Sequence, residues 1–358
     1  MNQSESLKLQ ALAIGSLPHN NLEDAMLLVE KDFSEIPFFP QLANISKNED
    51  MTFQFLEGLP SFLPSRLENF FVDSESDEFY EALEEFFNDY EEIISDINSE
   101  KLEKYAISEQ FSSTFPKFIQ VIKKTKPAYA KGQIIGPFTL ASILNDVNGK
   151  SALYDETLKE VIVKLLTLKA LWQIKHIKAA NPNTVPIIFM DEPSVSQLGT
   201  SAYLTISDME VADMLKEISD VIKDNGGLSA IHCCGKCDWV LPIVAGVDIV
   251  NLDAYAYSEH FALHAKVVEK LLARGGKIAW GLVPTLDSEA LSKITLDDLV
   301  ISFENSVKYL TKRGIDERLI IDNSLVTSSC GAGSLTVEMS ERAMDLVYEL
   351  SNELRKRF

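Results

Sequence analysis

The sequence predicts a (β/α)8 TIM barrel, one domain spanning 1–358 with a helical acidic insertion at about 60–128, between the second and third strands. Three observations carry this reading. Short apolar, β-branched runs alternate with helical patterns, there are eight such runs, and the alternation breaks only once. Strands that alternate with helices must run parallel, because each crossover helix returns the chain to the same edge, and eight units close a ring.

The runs are 11–16 (ALAIGS), 36–42 (IPFFPQL), 132–138 (GQIIGPF), 185–191 (VPIIFMD), 228–234 (LSAIHCC), 247–253 (VDIVNLD), 277–282 (KIAWGL) and 319–325 (LIIDNSL). Helical periodicity is expected over 22–33, 151–180, 207–225, 258–274, 288–313 and 336–356. About ninety residues separate the second run from the third, too many for a single crossover. Within that stretch, thirteen residues from Asp73 to Glu103 are acidic and only Lys101 is basic. Phe79, Leu83, Phe86, Tyr90, Ile93 and Ile97 recur there at helical spacing, so an amphipathic helix is expected, its apolar stripe on the core and its acids in water.

Composition narrows the partners. With 46% hydrophobic and 24% charged residues the chain reads as a globular enzyme with a large core. A net charge of -21 repels nucleic-acid phosphates and anionic lipid, so neither nucleic acid nor membrane is expected as a partner. The polar start MNQSESLKLQ lacks a secretion signal, and no apolar run is long enough for a membrane span, so a cytoplasmic location is expected.

In a parallel barrel the functional groups gather at the carboxyl ends of the strands. Ile14, Gly15 and Ser16 end the first run, Gln41 the second, Asp191 with Glu192 the fourth, His232 and Cys234 the fifth, and Asp253 the sixth; Cys330 follows the eighth in TSSCGAGS. Residues two apart on a strand project to one side, so His232 and Cys234 face the mouth while Cys233 turns away as apolar filling. With Cys330 they make a His/Cys/Cys set with an open fourth position, the pattern of a catalytic zinc ion, to which Asp253 is able to add a weak oxygen ligand. Cys234-x-x-Cys237 is also the spacing of a redox pair or of half a zinc finger, but no second pair completes a finger. His176, His260 and His264 lie on helical patterns and read as packing or surface residues; His19, after the first run, stays a candidate catalytic residue beside Asp191.

These residues resemble the superfamily of cobalamin-independent methionine synthase, uroporphyrinogen decarboxylase and the corrinoid-dependent coenzyme M methyltransferases. The likeness is to the methionine synthase catalytic domain in a short, single-barrel form, and it covers nearly the whole chain. IGSLPH resembles the loop that holds homocysteine, GPFTLA a motif of the third strand, and MDEP the carboxylate motif of the fourth. His232-x-Cys234 and Cys330 match the family's zinc ligands, with Asp253 where methionine synthase has glutamate. The resemblance implies that Asp191 holds a substrate amino group and that Gly15 and Ser16 hold its carboxylate, with Ile14, Gln41 and Glu192 beside them.

Two departures bear on the methyl donor. The full-length synthases carry a second amino-terminal half and a histidine after the seventh strand, where this chain reads GLVPTLDSEA. A folate donor needs a proton on its departing nitrogen; a methyl-corrinoid does not. The sequence therefore leads to a zinc-dependent methyltransferase that converts homocysteine to methionine from a methyl-corrinoid donor protein. Its rivals are a coenzyme M-type corrinoid methyltransferase, a uroporphyrinogen decarboxylase-like enzyme and a non-catalytic corrinoid or metal carrier. The decarboxylase calls for arginines around the mouth, and none of the chain's arginines lies at a strand end.

Overall fold

A computed structural model describes residues 7–63 and 71–358. Most of the leading segment read for a secretion signal, and 64–70 of the expected insertion, lie outside the described residues.

Six parallel strands form a continuous curled sheet: β1 (Tyr129–Ile135), β2 (Val185–Asp191), β3 (Leu228–Cys233), β4 (Ile249–Asp253), β5 (Lys277–Val283) and β6 (Ser324–Ser328), neighbours in that order. The first two predicted runs are not ladders. They bridge the gap between β6 and β1 through isolated pairs, Ala11 with Val326, Ser16 with Gln41 and Phe38 with Lys131. The architecture is thus that of a (β/α)8 fold in which six strands form a curled sheet that does not itself close, and two further segments span the gap on isolated bridges. Pro18, Pro37 and Pro40 lie in or beside these two segments, and a proline has no N–H to extend a ladder.

Other boundaries differ from expectation; the helix expected at 258–274, for one, is Ala254–Phe261 and Ala265–Ala273. GPF belongs to a helix, Pro137–Ile143, because Pro137 sits in its first turn, where a missing N–H costs nothing, so β1 begins and ends three residues earlier than the predicted run. Leu319–Asp322 is likewise helical, within Glu317–Asp322, because the Asp316 carboxylate accepts from the Leu319 N–H; the strand starts only at Ser324. The expected helix at 288–313 is two helices, Ser288–Lys293 and Leu296–Thr311, divided where Thr295 and Asp298 form a capping box.

The barrel interior is filled by one parity of each strand. Ile187 and Phe189, Ala230, Ile249, Ala279 and Leu325 pack together with Leu12 and Ile36 in the axis, while Ile188, Met190 and Val250 pack outward under the helices. Continuing the inward parity to the strand ends gives Asp191, His232 and Asn251 with Asp253. The residues that form the floor therefore dictate which side chains crown it.

In the insertion, the helix Asp77–Ser95 buries Phe79, Phe86, Tyr90 and Ile93, with Leu83 and Ile97 packed partly against the core. Buried Asp89 accepts from Tyr105 at 2.9 Å and pairs with Lys101 and Lys104 at 3.0 and 3.1 Å, anchoring this helix to the turn Glu100–Tyr105. The helix ends at Ser95, short of the acidic stretch's end at Glu103.

Candidate metal centre and its cavity

Strand register assembles the centre. Asp191 pairs with His232 across β2 and β3, and His232 with Asn251 across β3 and β4. His232, Cys234 and Cys330 bring one ligand atom each within 4.8 Å of one another, the set expected from sequence, and that set suits a metal ion. Cys237 is not a member of it.

The His232 ring is fixed by a neighbour that sequence reading missed. Asn251 donates from Nδ2 to the Ala279 carbonyl at 2.8 Å, so its Oδ1 faces His232 Nδ1 at 2.6 Å and must accept from it. The proton is therefore on Nδ1 and the lone pair on Nε2, which is buried and has no hydrogen-bond partner. An imidazole oriented by a carbonyl-type acceptor, with a bare Nε2 beside two thiols, is the arrangement in which histidine ligates a metal. The only trace of Asn251 in the sequence is a polar residue in an apolar run, two before Asp253.

Electrostatics favour positive charge here. Burial opposes a charged His232, but the neighbouring Cys234 and Asp191 outweigh it and raise its pKa. Hydrogen bonding from Cys330 and the nearness of the His232 ring pull the Cys234 thiol down to about 4, and Cys330, hydrogen-bonded to that thiolate and largely buried, is pushed up. Cys234 loses its proton first, and a bound cation would take over the role of the remaining Cys330 proton.

The Cys330 backbone is clasped by Thr285 after β5. Thr285 Oγ1 donates to the Cys330 carbonyl at 2.8 Å and accepts from its N–H at 3.0 Å, and Ser328 Oγ adds a second donor to the carbonyl. The next residue, Gly331, lies so close to the first-run loop that a Cβ there would come within 2.0 Å of Ser16 Oγ; Ala332 N–H donates to the Ser16 carbonyl at 3.0 Å. Two loops of the mouth touch at that point, and a side chain there would displace the Ser16 hydroxyl.

A cavity of about 470 Å³ opens beside the metal set, with Asp191, Ile14, Ser16, Gln41 and Glu49 on its walls and no Lys or Arg among its described lining residues. Burial raises the Asp191 pKa, against the lowering by Lys131 and His232, and its Oδ1 has no hydrogen-bond partner. Lys131, also missed in the sequence, is fully buried in the barrel; its ammonium donates to the Ile14 carbonyl and, at 2.8 Å, to Gln133 Oε1.

Four expected site residues are placed otherwise. Gly15 does not line the cavity; its φ of 153° and the closeness of Gln41 Oε1, 3.2 Å from where a Cβ would stand, shape the bend that presents Ser16. Glu192 is fully buried and faces away, accepting from Phe138 N–H, Thr139 N–H and Thr139 Oγ1 at 2.9, 2.9 and 2.6 Å; burial nonetheless pushes it up to about 7. Asp253 caps the helix Ala254–Phe261 by accepting from Ala256 N–H and lies outside the three-residue metal set, with burial pushing it up to about 6. His19 is buried, away from the cavity lining, with Nε2 3.6 Å from Glu341. Cys233 is buried as expected of filling.

No family model matches the chain, and no curated protein matches it. Among solved structures it is similar to an endo-beta-1,4-mannanase double mutant of Cellulomonas fimi, at 12% identity and a TM-score of 0.37, over 94% of this chain and 76% of that one.

Proposed function

We propose that this chain is a zinc-dependent thiol methyltransferase that methylates homocysteine to methionine, taking the methyl group from a methyl-corrinoid donor protein. The observation that carries the reading is the bare, buried His232 Nε2 beside Cys234 and Cys330, on the same cavity as Asp191, whose Oδ1 has no partner. His/Cys/Cys with a free fourth position suits zinc, whose preferred ligands are nitrogen and sulfur. When bound, zinc acts as a Lewis acid that keeps a substrate thiol deprotonated near neutral pH, although a free thiol has a pKa of about 8.5.

The chain's own residues do the rest. Asp191 accepts from the substrate ammonium, and Ser16, at the bend made by Gly15, offers donors to its carboxylate. The substrate sulfur attacks the methyl carbon; the C–S bond forms as the donor–methyl bond breaks, and the electron pair of that bond stays on the donor's cobalt, which leaves as the doubly reduced centre. The thiol proton has already gone to solvent on binding, so no residue must supply an acid. Leu286, on the cavity wall in the loop after β5, has none to give. The absence of Lys and Arg from the described lining residues disfavours a sulfonate or a porphyrin polycarboxylate as substrate. No helix among the described residues is long and apolar enough to cross a membrane, and a cytoplasmic setting suits a site built on free thiols.

The test is a methylation assay pairing methylcobalamin or methyltetrahydrofolate with homocysteine or coenzyme M. Methionine should form from methylcobalamin and homocysteine. Efficient folate-dependent turnover would overturn the donor assignment, and equal use of coenzyme M the acceptor.

A further inference from the structure

The cavity holds a second buried carboxylate, one oxygen of which has no donor to accept from. Glu49 closes the short turn Lys47–Glu49, which Ser46 caps, and is only 1% exposed. Its Oε1 accepts from the Ser113 N–H at 3.2 Å; its Oε2 is buried and has no hydrogen-bond partner. It lines the same cavity as Asp191, whose Oδ1 is in the same condition, and no Lys or Arg among the described lining residues offers either of them a donor. A buried carboxylate oxygen left without a donor loses its hydration for no return, so two in one cavity call for a ligand that brings several N–H groups. The described cavity-lining side chains beside Glu49 bring no cation either: Asp50 accepts from the Thr52 N–H, and Gln41 donates to Gln54 Oε1.

We infer that Glu49 is a substrate-binding carboxylate that accepts, alongside Asp191, from the ammonium group of an amino-acid thiol or thioether. The ammonium group, and not only the sulfur, is then what the cavity selects. This deepens the proposed function and rests on its placing of the acceptor in this cavity, but not on the metal chemistry. The competing account gives Glu49 a purely structural role, its Oε2 joined through water to Ser113 Oγ, which also lacks a partner.

The two are separated by calorimetry on the zinc-loaded protein with methionine and with 4-(methylthio)butanoate, the same thioether without its ammonium. Neither ligand has a free thiol. Wild-type protein should bind methionine at least about tenfold more tightly, the worth of a charge-assisted contact. Glu49→Gln, which keeps the acceptor for Ser113, should shrink that gap to roughly threefold or less while leaving the affinity for 4-(methylthio)butanoate unchanged. A gap that survives Glu49→Gln, an equal loss for both ligands, or no gap in the wild type overturns the inference. Asp191→Asn gives a reading independent of whether Glu49→Gln folds: part of the gap should persist through Glu49, and its complete loss overturns the inference. Homocysteine binding without proton release, with the methionine gap intact, would instead overturn thiol activation and leave Glu49 in place.

Discussion

The two walls of the cavity are built by different means. On the metal side, Asp191, His232 and Asn251 are consecutive register partners on β2, β3 and β4, so the backbone ladder sets their spacing before any side chain acts. On the amino-terminal side, residues 14–17 and 41–51 hang on isolated bridges and on side chains that reach the backbone: Lys131 to the Ile14 carbonyl, Gln133 to the Phe39 carbonyl and Thr114 to the Pro40 carbonyl. Of the three metal ligands, His232 stands on the rigid ladder, and Cys234 and Cys330 follow close behind the ends of β3 and β6. Groups that meet the polar end of a small molecule stand on a wall held by a few replaceable bonds.

The comparison breaks most visibly if metal binding does not follow the ladder. His232→Ala or Cys330→Ser should take the purified protein from about one zinc per chain to little or none by elemental analysis, while Cys233→Ser leaves it loaded. Loss of metal on changing Cys237 but not Cys330 would mean that the sulfur pair in the β3 loop, not the ladder with the β6 loop, makes the centre.

A smaller effect tests orientation. Asn251→Leu keeps all three ligands but leaves His232 Nδ1 without its acceptor, and should weaken metal binding by about 10- to 100-fold in chelator competition. Asn251→Asp, which restores an acceptor, should recover most of it. If leucine is tolerated, the strand register alone orients the ring.

The two walls also differ in how well the sequence declares them. His232, Cys234 and Asp191 follow from the alternation of inward and outward residues along strands whose apolar runs are unmistakable; β2 coincides with its predicted run. Cys330 needed the count of eight segments, since only ring closure brings it near residues about a hundred positions earlier. Lys131 and Glu49 were not legible. A lysine inside a strand reads as an edge or a solvent face until closure places it in the axis, and Glu49 sits in an irregular turn where no periodicity marks which side chains face inward. Asp253 and Glu192 went the other way. Both looked like site carboxylates because they end strands, yet Asp253 caps the helix that follows it, and Glu192 is taken up by the first N–H groups of the helix Pro137–Ile143.

Asp191 stands on the ladder but serves the substrate, so it tests whether the two duties separate. Asp191→Asn should weaken homocysteine binding by about 2 kcal/mol, the cost of a charge-assisted contact, and leave zinc in place. If it strips the metal instead, Asp191 belongs to the centre and not to the ammonium.

The smallest effect is expected at Lys131, where stability and binding should move independently. Burial pushes its ammonium down to about 8 from 10.5. Between those values the unfolded chain holds more protons than the folded one, so wild-type stability should rise with pH from about 8 to 10.5, and Lys131→Met should flatten that rise. Below pH 8 the wild type carries a desolvation cost of up to about 3 kcal/mol, which the methionine variant escapes. Losing the bonds to Ile14 and Gln133 takes back a comparable amount, so Tm near pH 7 should change little. Binding should change nonetheless. Without the ammonium, the Ile14 carbonyl loses its anchor and Asp191 loses the cation that favours its ionised form, and homocysteine affinity should fall by about fivefold, near 1 kcal/mol. Zinc occupancy should stay at the wild-type level, because Lys131 is on β1 and touches neither the ligands nor Asn251. Metal loss in this variant would show that the amino-terminal wall supports the centre after all, and that the two walls are one structure.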